Sequence, residues 1–225
     1  MIPWEFLDSA PVPGGEGELG LYRRGEEFAI RLGNRELMNS RVHASEEALA
    51  ALAVARVSSR AQPRFLIGGL GMGFTLAEVL RHLGPEGRVE VAELVPAVVA
   101  WNRGPLAHLA GHPLQDARVT VREVDVAQVL RVTRQVYDAI LLDVDNGPKG
   151  LARRDNDWLY ARPGLEAAQA ALRSAGVLAV WSSGPHAVFV QRLRRVGFAV
   201  SEVRVPARGS GKGRRHTIWI AERAT

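Results

Sequence analysis

Residues 66–80 read Leu66-Ile-Gly-Gly-Leu-Gly-Met-Gly-Phe-Thr-Leu-Ala-Glu-Val-Leu80: a short apolar run, a glycine-rich turn and the start of a helical pattern. Gly69, Gly71 and Gly73 let the backbone turn tightly and let a ligand approach it without a Cβ in the way. Their Gly-x-Gly-x-Gly spacing differs from the Gly-x-Gly-x-x-Gly of dinucleotide-binding folds. The turn therefore predicts a strand-to-helix binding loop without naming the ligand.

Apolar strands alternate with helical patterns on the C-terminal side of this turn. Parallel sheets covered by helices on both faces produce such an alternation. The predicted strands are 64–67, 88–92, 119–122, 136–142, 176–181, 198–205 and 217–221, and the predicted helices are 75–83, 96–101, 127–133, 165–173 and 187–195. The sequence therefore predicts a doubly wound, mostly parallel Rossmann-like α/β sheet.

The first forty residues follow a different pattern. Three β-like runs, 19–22, 28–32 and 36–39, are separated by glycine-containing turns and predict a short β-hairpin or meander. A helix from Ser45 to about Ser58 follows, with acids at its favourable N-terminal end. We divide the chain into a small N-terminal β segment, 1–43, and a main domain, 44–225.

Composition excludes several classes of protein. The 225 residues are 47% hydrophobic and 24% charged, with no cysteine, which excludes thiol nucleophiles, disulfides and thiolate metal sites. The longest apolar stretch, 48–57, is interrupted by Arg56 and is too short to cross a bilayer. The N-terminus has no basic segment followed by an apolar run, so no secretory signal is predicted. We expect a soluble cytoplasmic protein without a membrane partner.

The net charge is +5, and its one local concentration is a basic turn within 204–216. Such a patch is compatible with nucleic acid or an anionic substrate. A solvated arginine-rich loop is the commoner explanation, so nucleic acid is not the favoured partner.

Acidic residues follow consecutive predicted strands. Glu93 comes twenty residues after Gly73, at the end of the second strand; Asp125 follows the third strand, and Asp143 ends the fourth. Any one of them is more often a helix cap or a solvated acid than a ligand-binding residue. Together with the glycine turn, they predict an adenosine-containing ligand, because an acid at this point can bind ribose hydroxyls.

Residues 66–80, 91–99, 124–126 and 137–148 resemble, in order, the successive motifs of spermidine synthases. Residues 36–49 are similar to the segment that joins that family's N-terminal β-domain to its catalytic domain. The resemblance implies a class I S-adenosylmethionine-type methyltransferase fold, an adenosyl-sulfonium donor and a homodimer or tetramer, of which we expect the homodimer. By position, it implies donor binding by the residues Glu46, Gly69, Gly71, Gly73, Glu93, Asp125, Val126 and Asp143, with Glu93 on the ribose and Asp125 and Val126 on the adenine.

The first glycine loop departs from that family. Spermidine synthases carry Gly-Gly-Gly-Asp-Gly there, and the Asp holds the amine of decarboxylated S-adenosylmethionine. Here Gly71 or Met72 takes that position. An acid would repel the carboxylate of ordinary S-adenosylmethionine, whereas amides at a helix N-terminus attract it. The departure favours S-adenosylmethionine as the donor.

The catalytic loop departs as well. The family's base is the second Asp of Asp-x-x-Asp-Pro; here Asn146 takes that place, and Asp145 precedes it. Asparagine cannot take up a proton at neutral pH. We therefore expect Asp143 and Asp145 to orient the acceptor, with Asn146 accepting hydrogen bonds. The family's tyrosine in the joining segment is Ser45 here.

Further acceptor-site candidates are Ser45, Trp158, Tyr160 and Trp181, although packing under a long loop explains Trp158 and Tyr160 equally well. No metal site is expected, because Gly111 and Pro113 disrupt the i, i+4 pair His108 and His112.

The sequence thus predicts a spermidine-synthase-like transferase and favours a methyltransferase that acts from S-adenosylmethionine on an amine or hydroxyl acceptor. One alternative is a polyamine aminopropyltransferase using decarboxylated S-adenosylmethionine. The other is a non-catalytic nucleoside- or RNA-binding module.

Overall fold

A computed structural model describes residues 2–14, 17–144, 156–207 and 214–224, which form two β-sheets and the helices that cover them. The N-terminal sheet is antiparallel, in the order β1-β2-β3-β4. Its strands are β1 (Glu5–Pro11), β2 (Glu18–Arg24), β3 (Glu27–Leu32) and β4 (Arg35–Asn39). The predicted meander is therefore present, with one more strand, β1, at its edge.

The main sheet has seven strands in the order β10-β11-β9-β8-β5-β6-β7. They are β5 (Arg64–Gly68), β6 (Arg88–Ala92), β7 (Val119–Arg122), β8 (Tyr137–Leu142), β9 (Leu172–Ser182), β10 (Phe198–Pro206) and β11 (Arg215–Arg223). The five strands from β5 to β9 pair in parallel, and β11 joins β9 and β10 antiparallel. This confirms the doubly wound, mostly parallel α/β fold.

In the described residues, seven α-helices connect these strands. They are α1 (Ala44–Val57), α2 (Phe74–His82), α3 (Pro96–Arg103), α4 (Val126–Val132), α5 (Asn156–Tyr160), α6 (Arg162–Ala171) and α7 (Ala187–Val196). Short 3-10 turns lie at Ala107–Ala110 and Pro113–Gln115. Within the described part of the chain, no helix is long and apolar enough to cross a membrane.

Two apolar layers lie on opposite faces of the main sheet. In β5, Phe65 and Ile67 pack into one layer and Leu66 into the other, because side chains alternate across a strand. The first layer also contains buried residues of α1, α2, α3 and the N-terminal sheet; the second contains residues of α4, α6 and α7. The N-terminal sheet therefore shares its core with the face that carries α1.

The strand register brings the carboxyl ends of four strands to one edge. Gly68 of β5 pairs with Ala92 of β6 and Leu142 of β8, and Leu142 pairs with Val180 of β9. The residues that directly follow these ends must therefore lie side by side. Since β11 runs antiparallel to β9, its first residues reach the same edge, where Thr217 pairs with Ser182.

Candidate active site

A cavity of about 580 Å³ opens at this edge, between the main sheet and the N-terminal sheet. That volume lies within the range of roughly 300–1,000 Å³ typical of small-molecule sites. The loops after β5, β6 and β8 line one side, and Met38 of β4 lines the side of the N-terminal sheet. The cavity therefore depends on both sheets.

Two glycines of the loop after β5 allow close approaches. Gly69 has φ +88°, and a Cβ there would come within 2.7 Å of the Asp143 carbonyl oxygen. Gly71 has φ +56°, and a Cβ there would lie 2.6 Å from the terminal methyl carbon of Met38. Gly73 directly precedes α2. Gly71 lines the cavity, whereas Met72 is buried in the core, so Gly71 is the position where an acid would face a ligand.

Glu93 is fixed at the cavity wall directly after β6. Its Oε2 accepts a hydrogen bond from the Leu70 amide and its Oε1 one from the Val95 amide, both at 2.8 Å. The carboxylate is 7% exposed and holds the glycine loop against the start of α3. A ligand in the cavity thus meets an acid whose orientation is set before binding.

Asp125 caps a helix and also faces the cavity. Its Oδ1 accepts a hydrogen bond of 2.8 Å from the Ala127 amide, so it is the N-cap of α4. It also lines the cavity together with Val126. Gly69, Glu93, Asp125 and Val126 therefore share one cavity, as the predicted nucleoside site requires.

Asp143 and Glu46 form a pair of acids in the same cavity. Asp143 accepts a hydrogen bond from Thr75 Oγ1 at 2.9 Å, and burial raises the pKa of Asp143 to about 6. Burial, and secondly the Asp143 charge, raise the pKa of Glu46 to about 7. The two side chains therefore change charge near neutral pH, where a carboxyl group can both accept and release a proton.

Ser45 connects Glu46 to a histidine from the far end of the chain. Its hydroxyl donates to Glu46 Oε2 at 2.6 Å and lies 2.9 Å from Nδ1 of His216 in β11. The His216 ring packs edge-on against Trp181, with centroids 4.7 Å apart. Burial, and secondly the Arg214 charge, lower the pKa of His216 to about 4, so this imidazole is neutral at physiological pH.

The family follows from comparison with known proteins. A model of the spermine/spermidine synthase domain matches residues 43–191. The chain belongs to the spermine/spermidine synthase family. Its main sheet and its N-terminal antiparallel sheet match solved spermidine synthases. One, in complex with the transition-state analogue AdoDATO, has a TM-score of 0.74 at 17% identity, covering 97% of this chain and 72% of that one. The Thermotoga maritima enzyme has a TM-score of 0.73 at 17% identity, covering 97% and 73%.

Curated relatives in this family include two kinds of transferase. Putrescine N-methyltransferase 2 of Nicotiana attenuata is 36% identical over 116 residues, which are 51% of this chain and 29% of that protein. Polyamine aminopropyltransferase 1 of Streptomyces coelicolor is 42% identical over 80 residues, 35% of this chain and 15% of that protein. The chain thus spans less than a third of the curated relatives it matches.

Two further candidates, Tyr160 and Trp158, make aromatic packing contacts. Tyr160 is 2% exposed and packs edge-on against Phe189, and its hydroxyl donates to the Val144 carbonyl at 3.3 Å. Trp158 lies under the guanidinium of Arg131, 4.1 Å from its ring centroid. These contacts agree with packing, one of the two explanations that the sequence leaves open for Trp158 and Tyr160. Trp181, by contrast, lines the cavity. Asp145 and Asn146 lie outside the described residues.

Metal-binding residues do not cluster in the described ranges, where no group of three or more His, Asp or Glu side chains could hold an ion. His108 packs edge-on against Phe28, and His112 has φ 59° directly before a 3-10 turn. The two histidines therefore have local roles in packing and chain reversal.

Sequence reasoning missed His216 and Met38. His216 lies 171 positions from Ser45, and its partner can be found only once β11 is known to run antiparallel to β9. Met38 is one of several apolar residues in a short strand, and nothing local shows that its side chain reaches Gly71.

Proposed function

We propose that this protein transfers a methyl group from S-adenosylmethionine to a small amine. The observation that carries the choice of donor is the cavity wall at Gly71. No acid stands there to bind the amine of a decarboxylated donor, and Met38 fills the space that such a side chain would need. The 36% identity to a putrescine N-methyltransferase supports the same choice.

Several described residues along one side of the cavity support donor binding there. In this proposal the pre-oriented Glu93 carboxylate binds the ribose, and Asp125 and Val126, which also line the cavity, bind the adenine. Backbone amides at the start of α2 suit the donor's carboxylate, because a helix N-terminus attracts anions. S-adenosylmethionine supplies a methyl group already activated by its sulfonium charge, so the protein's task is to position the nucleophile and exclude water.

In this proposal, Glu46 and Asp143 bind and deprotonate the acceptor amine. An amine is protonated in neutral water and cannot attack until it loses a proton. A carboxyl group with a pKa near 7 can take up that proton, and the neighbouring carboxylate attracts the incoming ammonium. A basic carboxyl group beside a negative charge suits a protonated amine better than a neutral hydroxyl group. We therefore favour an amine as the acceptor. Asp145 and Asn146 remain proposed contacts of the acceptor. Trp181 lines the cavity, and Ser45 bonds to Glu46 from behind the cavity wall.

Calorimetric titration with S-adenosylmethionine, and separately with its decarboxylated form, tests the donor. We expect tighter binding of the carboxylated donor, followed by methyl transfer when putrescine and other small amines are screened. Preferential binding of the decarboxylated donor would reject the interpretation of Gly71. Binding of neither compound would reject the donor site.

The second candidate is aminopropyl transfer, which the 42% identity to a polyamine aminopropyltransferase favours. In that case decarboxylated S-adenosylmethionine and putrescine yield a triamine, and the two reactions are separated by the mass of the product. The non-catalytic alternative predicts donor binding without any product across the same screen. Reversing the charges of Arg214 and Arg215 then tests RNA binding, which would weaken if the basic turn recruits RNA.

We further propose that the protein works as a homodimer in the cytoplasm and without a metal ion. The family resemblance supports the dimer, and light scattering on the purified protein measures it. If no metal ion is needed, dialysis against a chelator should leave the rate of methyl transfer unchanged. Cell fractionation tests the location.

A further inference from the structure

Glu46, Ser45 and His216 form one hydrogen-bonded chain at the cavity. Glu46 and Ser45 come from the first turn of α1, and His216 comes from the start of β11. Ser45 has no solvent exposure and His216 is 8% exposed, yet Glu46 and His216 both line the cavity. The two residues at the ends of this hydrogen-bonded series, Glu46 and His216, therefore face the cavity, whereas the Ser45 hydroxyl that joins them is inaccessible to solvent.

The number of hydrogens fixes the direction of these bonds. A serine hydroxyl has a single hydrogen, and an ionised Glu46 can only accept. Ser45 must then donate to Glu46 Oε2, so the second bond requires that Nδ1 of His216 donates to Ser45 Oγ. Neutral His216 is therefore the Nδ1–H tautomer, and its Nε2 carries a lone pair.

We propose that His216, Ser45 and Glu46 act together as a proton wire that deprotonates the acceptor amine. This rests on the proposed function and adds a catalytic residue to it. His216 Nε2 takes the proton from the bound ammonium, Nδ1–H passes its proton to Ser45 Oγ, and the Ser45 hydroxyl proton moves to Glu46 Oε2. The products are a neutral amine, the Nε2–H tautomer of His216 and a protonated Glu46.

This series of proton transfers conserves protons and charge without forming an imidazolium. Three protons move by one hydrogen bond each, and the net change is one proton transferred from the amine to Glu46. The neutral nitrogen then forms its bond to the methyl carbon as the carbon–sulfur bond breaks, with the electron pair remaining on sulfur. The low pKa of His216 is compatible with this role, because the ring changes tautomer and not charge.

The surrounding charges support Glu46 as the end of the wire. Asp143 after β8 and Glu47 on α1 both oppose ionisation of Glu46, whereas Arg214 before β11 opposes protonation of His216. Thr75 of α2 donates to Asp143, and His43 pairs with Glu47 at 3.1 Å. These charges favour a proton on Glu46 over a proton added to His216.

The tautomer of His216 tests the wire without any substrate. In the full-length protein labelled with ¹⁵N-histidine, long-range proton–nitrogen spectra distinguish the two tautomers and the imidazolium, and His216→Gln identifies the signal. We expect Nδ1–H at pH 8 and Nε2–H at pH 5.5, below the pKa of Glu46. Ser45→Ala and Glu46→Gln should both abolish this pH-dependent exchange. One tautomer at both pH values, or an imidazolium at pH 5.5, would overturn the proposal.

Kinetics test whether catalysis uses the wire. Ser45→Ala should lower kcat by about 100-fold, at the low end of what proton transfer contributes, with little change in KM or in donor affinity. Ser45→Thr keeps the hydroxyl and should restore most of the rate. Ser58→Ala is a matched control, because Ser58 lies at the exposed C-terminal end of α1.

The outcomes separate the two proposals. If Ser45→Ala keeps the wild-type kcat while Glu46→Gln loses it, Glu46 takes the proton directly and the wire is rejected, but the methyltransferase stands. If no methyl transfer occurs with any amine, the proposed function fails. The tautomer exchange in the free protein then still decides whether the hydrogen-bonded chain behaves as described.

Discussion

At the scale of single residues, the site depends on which side chain occupies the wall next to the donor's tail. Gly71 and Met38 come from different sheets, and the sulfur-bound methyl of Met38 occupies the position where a residue-71 side chain would project. The change from an acid to glycine in the loop is therefore matched by a large apolar side chain opposite it. Donor choice should depend on both positions together.

Gly71→Asp tests this, combined with Met38→Ala to make room. The backbone at residue 71 has φ +56°, which aspartate tolerates better than most residues. We expect the double variant to shift the ratio of the dissociation constants toward decarboxylated S-adenosylmethionine by about 10-fold or more, because a carboxylate attracts its amine and repels the carboxylate of the ordinary donor. Met38→Ala alone is the control, and an unchanged ratio in the double variant would contradict the assignment.

Thr75 tunes Asp143. Its hydroxyl bonds to the ionised carboxylate and so lowers a pKa that burial has raised. In Thr75→Val the bond is lost at nearly constant shape, the pKa of Asp143 rises further, and less of the group is ionised at any given pH. The acidic limb of the kcat/KM–pH profile should therefore move to higher pH, whereas Thr75→Ser should keep the wild-type limb. An unchanged limb in Thr75→Val would show that Asp143 need not ionise.

The sequence predicts part of this site for a physical reason. Glu93 and Asp143 directly follow strands, and Asp125 comes three residues after β7. Parallel strands end at one edge, so the shared location of these acids follows from the local pattern. The contact between Ser45 and His216 joins residues 171 positions apart and depends on how β11 enters the sheet. For Trp158 and Tyr160 the local pattern left packing and acceptor binding open, and the contacts that the structure adds are packing contacts with Arg131 and Phe189.

At the scale of elements, the apolar runs of the sequence predict every strand of the described residues except β1. β6 and β7 begin and end where the sequence predicts, because flanking turns and apolar residues bound them. β1 was not predicted: it is an edge strand with mostly exposed side chains, so it lacks alternation. β9 begins at Leu172, earlier than predicted, and Arg173 within it donates to buried Asp138 at 2.9 Å. The early start of this strand therefore coincides with a contact that the local sequence does not reveal.

The N-terminal sheet is attached to the main domain partly through one side-chain bond. Trp101 Nε1 on α3 donates to Asp8 Oδ2 on β1 at 2.7 Å. Trp101→Phe removes this donor while keeping an aromatic ring, at a cost of about 1 kcal/mol. We expect faster amide hydrogen exchange in β1 and β2 and weaker donor binding, because Val12 and Leu19 line the cavity. Exchange in β5 and β8 should not change, and faster exchange there would mean that the whole fold is destabilised.

At the scale of the whole molecule, the cavity is a product of topology. The order of the main sheet places β5, β6 and β8 side by side and returns β11 to the edge where they end. The N-terminal sheet closes this edge from the other side. No segment of the sequence contains that arrangement, so the fold class could be predicted from local patterns while the residues that meet across the cavity could not.

The acid pair should make stability depend on pH. Because the pKa values of Glu46 and Asp143 are raised in the folded state, the folded protein binds protons more strongly than the unfolded chain, and this contribution is lost as pH rises from about 4 through 7. Acids with lowered pKa values, such as Asp116, act in the opposite sense at lower pH. Glu46→Gln should therefore raise the free energy of unfolding relative to wild type at pH 8, by on the order of 1–2 kcal/mol, and not at pH 4.

Donor binding should also depend on pH through the ionisation of Glu46 and Asp143. A sulfonium cation beside the ionised pair relieves the repulsion between the two carboxylates, whereas at low pH the pair is neutral and offers less attraction. The rise in Tm that saturating S-adenosylmethionine produces should therefore be larger at pH 8 than at pH 5.5, and Glu46→Gln should reduce this difference. Thermal unfolding at both pH values measures it. An equal shift at both would mean that the bound cation lies away from Glu46 and Asp143, and would move the site of transfer to another part of the cavity.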